Sequence, residues 1–300
     1  LSTSDVIETY SYIYDMRKKY NDSNGERGAF IVVCNYSLGI DDAFPDEYPI
    51  WCSLYDDMGS VGILNVVAVS NDVKDIDKTG DVPGLCPSKY MIAVTTTDVD
   101  DNFGESGFGS ENVDIAAPGI DVFSIKPNRE SGYGTSSGTS FATPLVTGVI
   151  GLLYALPCQE FIDYFRENPT EVDSIANIII NSGDKLGSLS GLTKSERRLN
   201  AIKAIQEASL FCGGEKGSID IFNVYPNPVK NELKIELIAD PSEKIYLEIY
   251  NILGQKLKEE LILFPLFNDP VITADVEFLS TGMYILGVRQ SSGRSTKKFY

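Results

Sequence analysis

Apolar and polar residues follow two different patterns along the chain, and the change falls near residue 212. Before it, segments in which apolar residues recur every three or four positions alternate with short runs that are apolar throughout. The spacing predicts helices around Val6–Tyr14, with Ser4 as a candidate N-cap, and around Leu54–Gly59. Strands without alternation are typical of a parallel sheet that helices cover on both faces, so this part predicts an α/β domain. The expected strands are Phe30–Cys34, Asn65–Ser70, Met91–Thr97 and Val113–Ala116.

Beyond residue 212 the apolar residues occupy every second position of short segments. Leu233–Leu237 and Ile245–Ile249 have this period, which is typical of half-buried strands. Turn-forming residues separate the segments, and none has the spacing of a helix of normal length. We therefore expect an α/β domain at residues 1–212, a glycine-rich linker at 213–218 and a small all-β sandwich at 219–300.

The chain is strongly acidic: 25 Lys and Arg residues against 43 Asp and Glu residues give a formal net charge of −18. This charge argues against nucleic acid and against anionic membrane surfaces as partners. Most of the acidic excess lies in residues 1–212, which supports a domain boundary there. No apolar run reaches the roughly 20 residues that cross a bilayer, so we expect no transmembrane segment.

Five cysteines lack the paired spacing of a zinc site. An odd number allows at most two disulfides and one free thiol. Cys34 lies inside an apolar run and is expected to be the free, buried thiol. For the others we expect the pairs Cys52–Cys86 and Cys158–Cys212, although the sequence does not fix their connectivity.

One short segment, Gly138-Thr-Ser-Phe-Ala-Thr-Pro144, places a serine at the entrance of an apolar helix. The backbone N–H groups of a first helical turn are unpaired, and the helix dipole is positive there. Ser140 can therefore act as a nucleophile if a base accepts its proton and donors stabilise the oxyanion. Pro144 is expected in the first turn, where its missing N–H costs no hydrogen bond. Taken alone, the segment is more often a serine cap on a core helix.

Five features in order along the chain resemble the subtilisin family of serine proteases. The serine segment matches that family's motif Gly-Thr-Ser-x-Ala-x-Pro at every fixed position. The strand that ends in Asn71 resembles the one that carries the family's oxyanion asparagine, although Ser70 stands where the family usually has Gly. The resemblance implies a three-layer α/β domain around a parallel sheet, and the activity of a serine endopeptidase. The other matching segments are Ser37–Gly39, Ala116–Gly119 and Arg198–Asn200.

The resemblance also implies roles for individual residues. Ser140 would attack the scissile carbonyl, while the Asn71 side chain and the Ser140 backbone N–H would hold the oxyanion. Two segments would contact a protein or peptide substrate, one as an added strand and one as the wall of the pocket for the residue before the scissile bond (the S1 pocket). They are Ser37, Leu38 and Gly39 for the added strand, and Ala68, Val69 and Ser70 for the wall.

The chain departs from the family in one essential respect, because it contains no histidine. The family's catalytic Asp and His both precede the serine. We expect them upstream of Leu1, which would make the α/β domain N-terminally incomplete. A sedolisin-like site is one rival, but its acidic residues would also lie upstream and its serine motif lacks Ala-x-Pro. A pseudoenzyme is the other, and the intact Asn71 and Ser140 count against it.

Two loops are rich in carboxylates, whose oxygens are the ligands that Ca²⁺ prefers. Neither loop has the spacing of an EF-hand, so solvated acidic loops are the simpler interpretation. No cofactor is expected to be required, and structural Ca²⁺ is the one metal that the loops suggest. Their carboxylates are Asp72, Asp75, Asp77 and Asp81, and then Asp98, Asp100, Asp101 and Glu105.

The β-rich tail resembles the C-terminal sorting domains of the type IX secretion system. The resemblance implies that residues 219–300 are recognised by the type IX machinery, and that the protein is secreted from a Gram-negative bacterium or displayed on its surface. A carbohydrate-binding or adhesive sandwich is the alternative. The matching segments are Val224–Val229, Ile249–Lys256, Leu279–Ile285 and Lys297–Phe299.

Two functions stay open. The first is a secreted serine endopeptidase whose Asp and His lie outside this chain. The second is a noncatalytic, surface-displayed binding protein built on a protease-like scaffold. The sequence alone does not predict substrate specificity.

Overall fold

The computed structural model describes residues 2–126, 132–156, 158–209, 219–238, 244–262, 271–290 and 293–300. The chain forms two compact units, Leu1–Cys212 and Gly213–Tyr300. The expected linker at 213–218 lies outside the described residues.

The first unit is a three-layer α/β domain. Its described helices are α1 (Thr3–Asp22), α2 (Pro49–Ser60), α3 (Ile76–Thr79), α4 (Thr139–Tyr154), α5 (Gln159–Glu167), α6 (Asp173–Ser182) and α7 (Ala201–Ser209). Its described strands are β1 (Val33–Tyr36), β2 (Ile40–Asp41), β3 (Leu64–Ala68), β4 (Asp81–Val82), β5 (Met91–Thr97), β6 (Ile115–Pro118), β7 (Val122–Ile125), β8 (Tyr133–Ser136), β9 (Asp184–Lys185) and β10 (Arg197–Arg198).

The central sheet has the strand order β1-β3-β5-β6-β10-β9. All neighbours are parallel except β9, which pairs antiparallel with β10 at one edge. Side chains along β3 alternate between two cores: Leu64 and Val66 face the core under α4–α7, and Val67 faces the core under α1 and α2. Because both faces are buried, β3 and β5 show no alternation of buried and exposed residues. The predicted α/β fold is confirmed.

The first predicted strand, Phe30–Cys34, is displaced in the structure, because β1 begins only at Val33. The guanidinium of Arg17 donates a hydrogen bond of 2.7 Å to the Ile31 carbonyl and lies 4.2 Å from the centre of the Phe30 ring. These contacts hold residues 30–31 against the end of α1 instead of in the sheet. The apolar character of this segment therefore reflects packing beside a helix.

Helix α1 begins two residues earlier than expected, since its N-cap is Ser2 and not Ser4. The Ser2 hydroxyl accepts the Asp5 N–H, and the Asp5 carboxylate accepts the Ser2 N–H at 2.7 Å. This reciprocal capping box satisfies two donors that the helix itself leaves unpaired.

The second unit is an antiparallel sandwich of two sheets, with strand orders β11-β12-β15 and β14-β13-β16-β17. Alternate residues of its strands face a single core, which includes Leu233 and Leu247, both fully buried. The described strands are β11 (Asp220–Tyr225), β12 (Glu232–Ile238), β13 (Ile245–Asn251), β14 (Lys256–Ile262), β15 (Val271–Asp275), β16 (Tyr284–Gln290) and β17 (Gly293–Phe299).

The cysteines of the first unit follow the predicted arrangement as far as the structure describes them. Cys52 on α2 and Cys86 form a disulfide across a separation of 34 residues, so that pair is confirmed. Cys34 is free and buried, also as predicted, and burial raises the pKa of its thiol to about 11. The pair Cys158–Cys212 includes a residue outside the described part and stays a prediction.

Among the described residues, no single helix is long and apolar enough to span a bilayer. The bent pair α4 and α5 meets the length and composition test only when the two helices are taken together.

We expect replacement of both Cys52 and Cys86 by Ala to lower the free energy of unfolding of the first unit by about 3–4 kcal/mol, because a loop of this length loses its crosslink in the unfolded state. Trp51 is the one tryptophan of the sequence and is 3% exposed, so its fluorescence during denaturant unfolding reports this unit alone. Cys34→Ala is the control for thiol removal. A double variant no less stable than Cys34→Ala would contradict the expectation.

Candidate active site

Helix α4 crosses the sheet and presents its first turn at the carboxyl ends of β1 and β3. Its inward face, with Ala142, Val146 and Ile150, is fully buried against the sheet. The helix begins at Thr139, so Ser140 is its second residue and the Ser140 N–H has no acceptor within the helix. This confirms the predicted turn from loop to helix at the serine.

Pro144 is the sixth residue of α4 and lies inside the helix. The prediction that it lies in the first turn is therefore wrong. A proline there removes the donor that would bond to the carbonyl four residues earlier, which is the carbonyl of Ser140. The Ser37 hydroxyl donates to that carbonyl instead, at 3.1 Å. The backbone of the candidate nucleophile is thus tied to the segment that follows β1.

Thr139 fixes the start of the helix from the other side and was missed by the sequence reasoning. Its hydroxyl donates to the Val69 carbonyl at 2.6 Å, and its backbone N–H donates to Asn71 Oδ1 at 2.9 Å. Since the oxygen of the Asn71 amide is held by Thr139, the amide NH₂ is directed elsewhere. The only sequence signal for this role is the position of the threonine between glycine and the serine.

Gly138, the N-cap of α4, has φ +141°, a conformation that side chains disfavour. A Cβ atom here would come within 2.8 Å of Asn71 Oδ1. Glycine is therefore required both by the backbone turn and by the close approach of Asn71.

The sheet register brings the two predicted substrate-contacting segments side by side. Tyr36 of β1 lies opposite Val67 of β3, so the residues that follow each strand emerge next to one another. They enclose a cleft of about 180 Å³ that contains every residue predicted for the site. Its lining is Ser37, Leu38, Gly39, Asp41, Ala68, Val69, Ser70, Asn71, Asp72, Asp81, Thr139 and Ser140. The roles assigned to these residues stay predictions.

Asp81 is the cleft residue that sequence reasoning placed in a solvated acidic loop. It is only 2% exposed, and that interpretation is wrong for this residue. Its carboxylate accepts the Ser70 N–H at 2.8 Å and the Gly84 N–H at 3.0 Å. Burial raises the pKa of Asp81 to about 6 in spite of these two hydrogen bonds.

The other carboxylates of the two acidic loops are engaged separately. Asp77 accepts from Glu111 N–H and the Asn112 amide, whereas Asp101 pairs with Arg198 at 3.0 Å. Within the described ranges no three acidic, cysteine or histidine side chains converge to hold a metal ion. Structural Ca²⁺ therefore stays a prediction.

The Ser140 hydroxyl donates only a weak bond, 3.5 Å long, to the Ser37 carbonyl. In the part of the chain that the structure describes, no basic side chain bonds to it. The site thus supplies a positioned hydroxyl and backbone donors, but not the group that would accept the hydroxyl proton.

A larger cavity of about 670 Å³ lies elsewhere in the first unit, lined by residues that include Lys89, Asp114, Asn177 and Arg197. It contains none of the residues of the serine motif or the predicted oxyanion site. Size alone therefore does not identify the site, and the smaller cleft is the one that holds the predicted site residues.

Comparison with known proteins identifies a family for each of the two units. Residues 1–192 match the model of the subtilase family, a family of serine proteases. Residues 223–300 match the model described as a secretion system C-terminal sorting domain. The chain belongs to the subtilase family and carries a sorting domain of the type IX secretion system, as the sequence resemblances predict.

Individual relatives cover parts of the chain. Thermitase from Thermoactinomyces vulgaris is 34% identical over 122 residues, which are 40% of this chain and 38% of thermitase. The matching subunit of the subtilase cytotoxin from Escherichia coli is 33% identical over 186 residues, which are 54% of this chain and 49% of that protein. A solved structure of the subtilase cytotoxin assembly aligns with a TM-score of 0.48 and 29% identity, covering 68% of this chain and 65% of that one. The chain spans about half or less of the length of the first two relatives.

We expect Ser37→Ala to destabilise the first unit by about 1 kcal/mol, because the Ser140 carbonyl loses its donor. In a Pro144→Ala background the cost should nearly vanish, since the alanine restores an N–H that can donate to the same carbonyl. Denaturant unfolding followed by Trp51 fluorescence gives the coupling energy of this double-mutant cycle. Equal costs in both backgrounds would show that the two residues act independently.

Proposed function

We propose that this chain forms the nucleophile-bearing part of a secreted serine endopeptidase. A base takes the proton of Ser140 Oγ, Oγ attacks the carbonyl carbon of the scissile peptide bond, and the proton then passes to the leaving amine. The observation that carries the proposal is the convergence of Ser140, Asn71 and both substrate-contacting segments on one cleft.

The oxyanion would be held by two donors that the structure leaves available. One is the Ser140 N–H, which lies in the first turn of α4 and has no acceptor within the helix. The other is the Asn71 NH₂, whose orientation follows from the hydrogen bonds that Thr139 donates to Asn71 Oδ1. Donors fixed before the reaction stabilise the developing charge without reorganisation.

The substrate backbone would lie along Ser37–Gly39, forming an added antiparallel strand. This segment continues β1 and then enters β2, which pairs with β4. Such support on both sides holds an edge segment extended. The side chain before the scissile bond would enter between Leu38 and the wall formed by Ala68–Ser70.

The general base and the acid that orients it would come from residues outside this sequence, because the 300 residues include no histidine. The same observation favours the alternative function, a noncatalytic binding protein that holds peptides in the cleft and is displayed on the cell surface. The two functions differ in whether any form of the protein turns over substrate.

We expect the 300-residue chain alone to hydrolyse peptides no faster than residual oxyanion stabilisation allows, since the sequence has no histidine to accept the Ser140 proton. A longer product of the same reading frame that supplies an Asp and a His should turn over, and Ser140→Ala should abolish that turnover. In this longer enzyme Asn71→Ala should lower kcat by about 10²–10³, the usual cost of losing an oxyanion donor.

The matched control is Asn177→Ala, which removes the same amide from the larger cavity and should leave kcat unchanged. The measurements are kcat and KM on a chromogenic peptide, with Trp51 fluorescence to verify folding. Full activity of the 300-residue chain, or a longer enzyme indifferent to Ser140→Ala, would disprove the proposed mechanism.

For the tail we infer that residues 219–300 direct the protein through the type IX machinery of a Gram-negative bacterium to its surface or medium. The sandwich has its own buried core, which supports recognition as an independent folded unit. For the tail to act as a sorting signal on its own, it must fold without the protease domain.

We expect a fusion of residues 213–300 to an unrelated periplasmic protein to be exported by cells that run the type IX system. The same fusion with Leu247→Asp should remain in the periplasm, because a charge in the fully buried core unfolds the sandwich. The measurement is the distribution of the fusion among periplasm, surface and medium. Normal export of a protease without residues 219–300 would refute the sorting role and favour the adhesive alternative.

A further inference from the structure

Three carboxylates line the cleft beside Ser140, and they differ sharply in burial. The Asp41 side chain is 53% exposed, and Asp72 is exposed as well. Asp81 is 2% exposed and is therefore the deepest of the three. Its carboxylate is the one whose charge is least screened by water.

Asp81 belongs to the wall of the predicted S1 pocket. Its Oδ2 accepts the N–H of Ser70, a residue of that wall, and its Oδ1 accepts the N–H of Gly84. Each oxygen thus accepts one hydrogen bond, while an ionised carboxylate has about four acceptor sites in all. The group is held rigidly and retains capacity for a further donor.

The charge of Asp81 has no cation of its own among the described residues. Lys74, whose charge favours the ionised form of Asp81, forms ion pairs with Asp41 at 3.3 Å and with Asp42 at 3.0 Å. A buried carboxylate without a counter-ion carries a desolvation cost that its hydrogen bonds offset only in part, and a cation can offset the rest.

We propose that Asp81 makes the S1 pocket selective for Lys or Arg as the residue before the scissile bond. The ammonium or guanidinium group would enter the cleft, pair with the Asp81 carboxylate and leave the two backbone hydrogen bonds intact. This specificity rests on the proposed peptidase function, but the binding step needs neither the base nor a reactive Ser140. A solely structural Asp81 would anchor the wall without distinguishing substrates.

The test compares two acetylated, amidated peptides, Ala-Ala-Ala-Arg and Ala-Ala-Ala-citrulline, for binding to the full 300-residue chain. Citrulline has the shape of arginine but no charge. We expect the arginine peptide to bind at least about tenfold more tightly, since close charge pairs in desolvated sites have coupling energies above about 1.4 kcal/mol. Asp81→Asn should reduce the ratio to less than about twofold.

The matched control is Asp72→Asn, which removes an exposed charge from the same cleft and should change the ratio by less than about twofold. A second readout is pH: the preference for arginine should grow as pH rises through about 6, where Asp81 ionises. The other charged groups near Asp81 are Asp41, Asp72 and Lys74, so the Asp72 variant should retain this pH dependence.

Equal binding of the two peptides to the unmodified chain, or no binding of either, would overturn the proposed specificity. This comparison does not depend on the folding of any variant. An Asp81→Asn chain that weakens both peptides equally would assign Asp81 a structural role only. The specificity and the peptidase function fail separately. A Ser140→Ala chain should keep the arginine preference even though the longer enzyme would lose its turnover.

Discussion

The attachment of the first turn of α4 to the ends of β1 and β3 is the constraint on which the site depends. Three hydrogen bonds make it: Thr139 to the Val69 carbonyl, Thr139 to Asn71 and Ser37 to the Ser140 carbonyl. Each joins the helix to a residue that lies just beyond β1 or β3. The proposed nucleophile, oxyanion donor and substrate segment are therefore held together at the end of the sheet, although they are about 70 and 100 residues apart in sequence.

Much of the fold could be predicted because its signals are local. The run Met91–Thr97 coincides with β5, and every one of its residues is buried, as the lack of alternation with charged residues implies. The alternation at Leu233–Leu237 likewise identifies a strand with one buried face. Where the first predicted strand was displaced, the cause was nonlocal: the segment around Phe30 contacts Arg17 of α1 and does not pair in the sheet.

Only those site residues that lie within a family motif could be predicted from the sequence. Asn71 and Ser140 could be named because a family motif surrounds each of them. Asp81 and Thr139 could not, since their importance lies in contacts with Ser70 and Val69 that no sequence spacing reveals. Pro144 was noticed but misplaced by one helical turn, which hid its link with Ser37. Which residues join a polar network of this kind depends on which buried donors and acceptors the fold brings together, and sequence spacing does not reveal that.

The pairing of β1 with β3 has a consequence for how such a cleft can diversify. The two walls continue adjacent strands, so their separation at the base is fixed by the spacing of about 4.8 Å between hydrogen-bonded neighbours. Substitutions beyond the strand ends can alter the depth, charge and shape of the cleft, but not this width at its base. Asp81 is an example of a residue there that sets the charge of the cleft. New substrate preferences in this domain are therefore expected to arise from changes in the side chains and loops that line the cleft, while its width at the base stays the same.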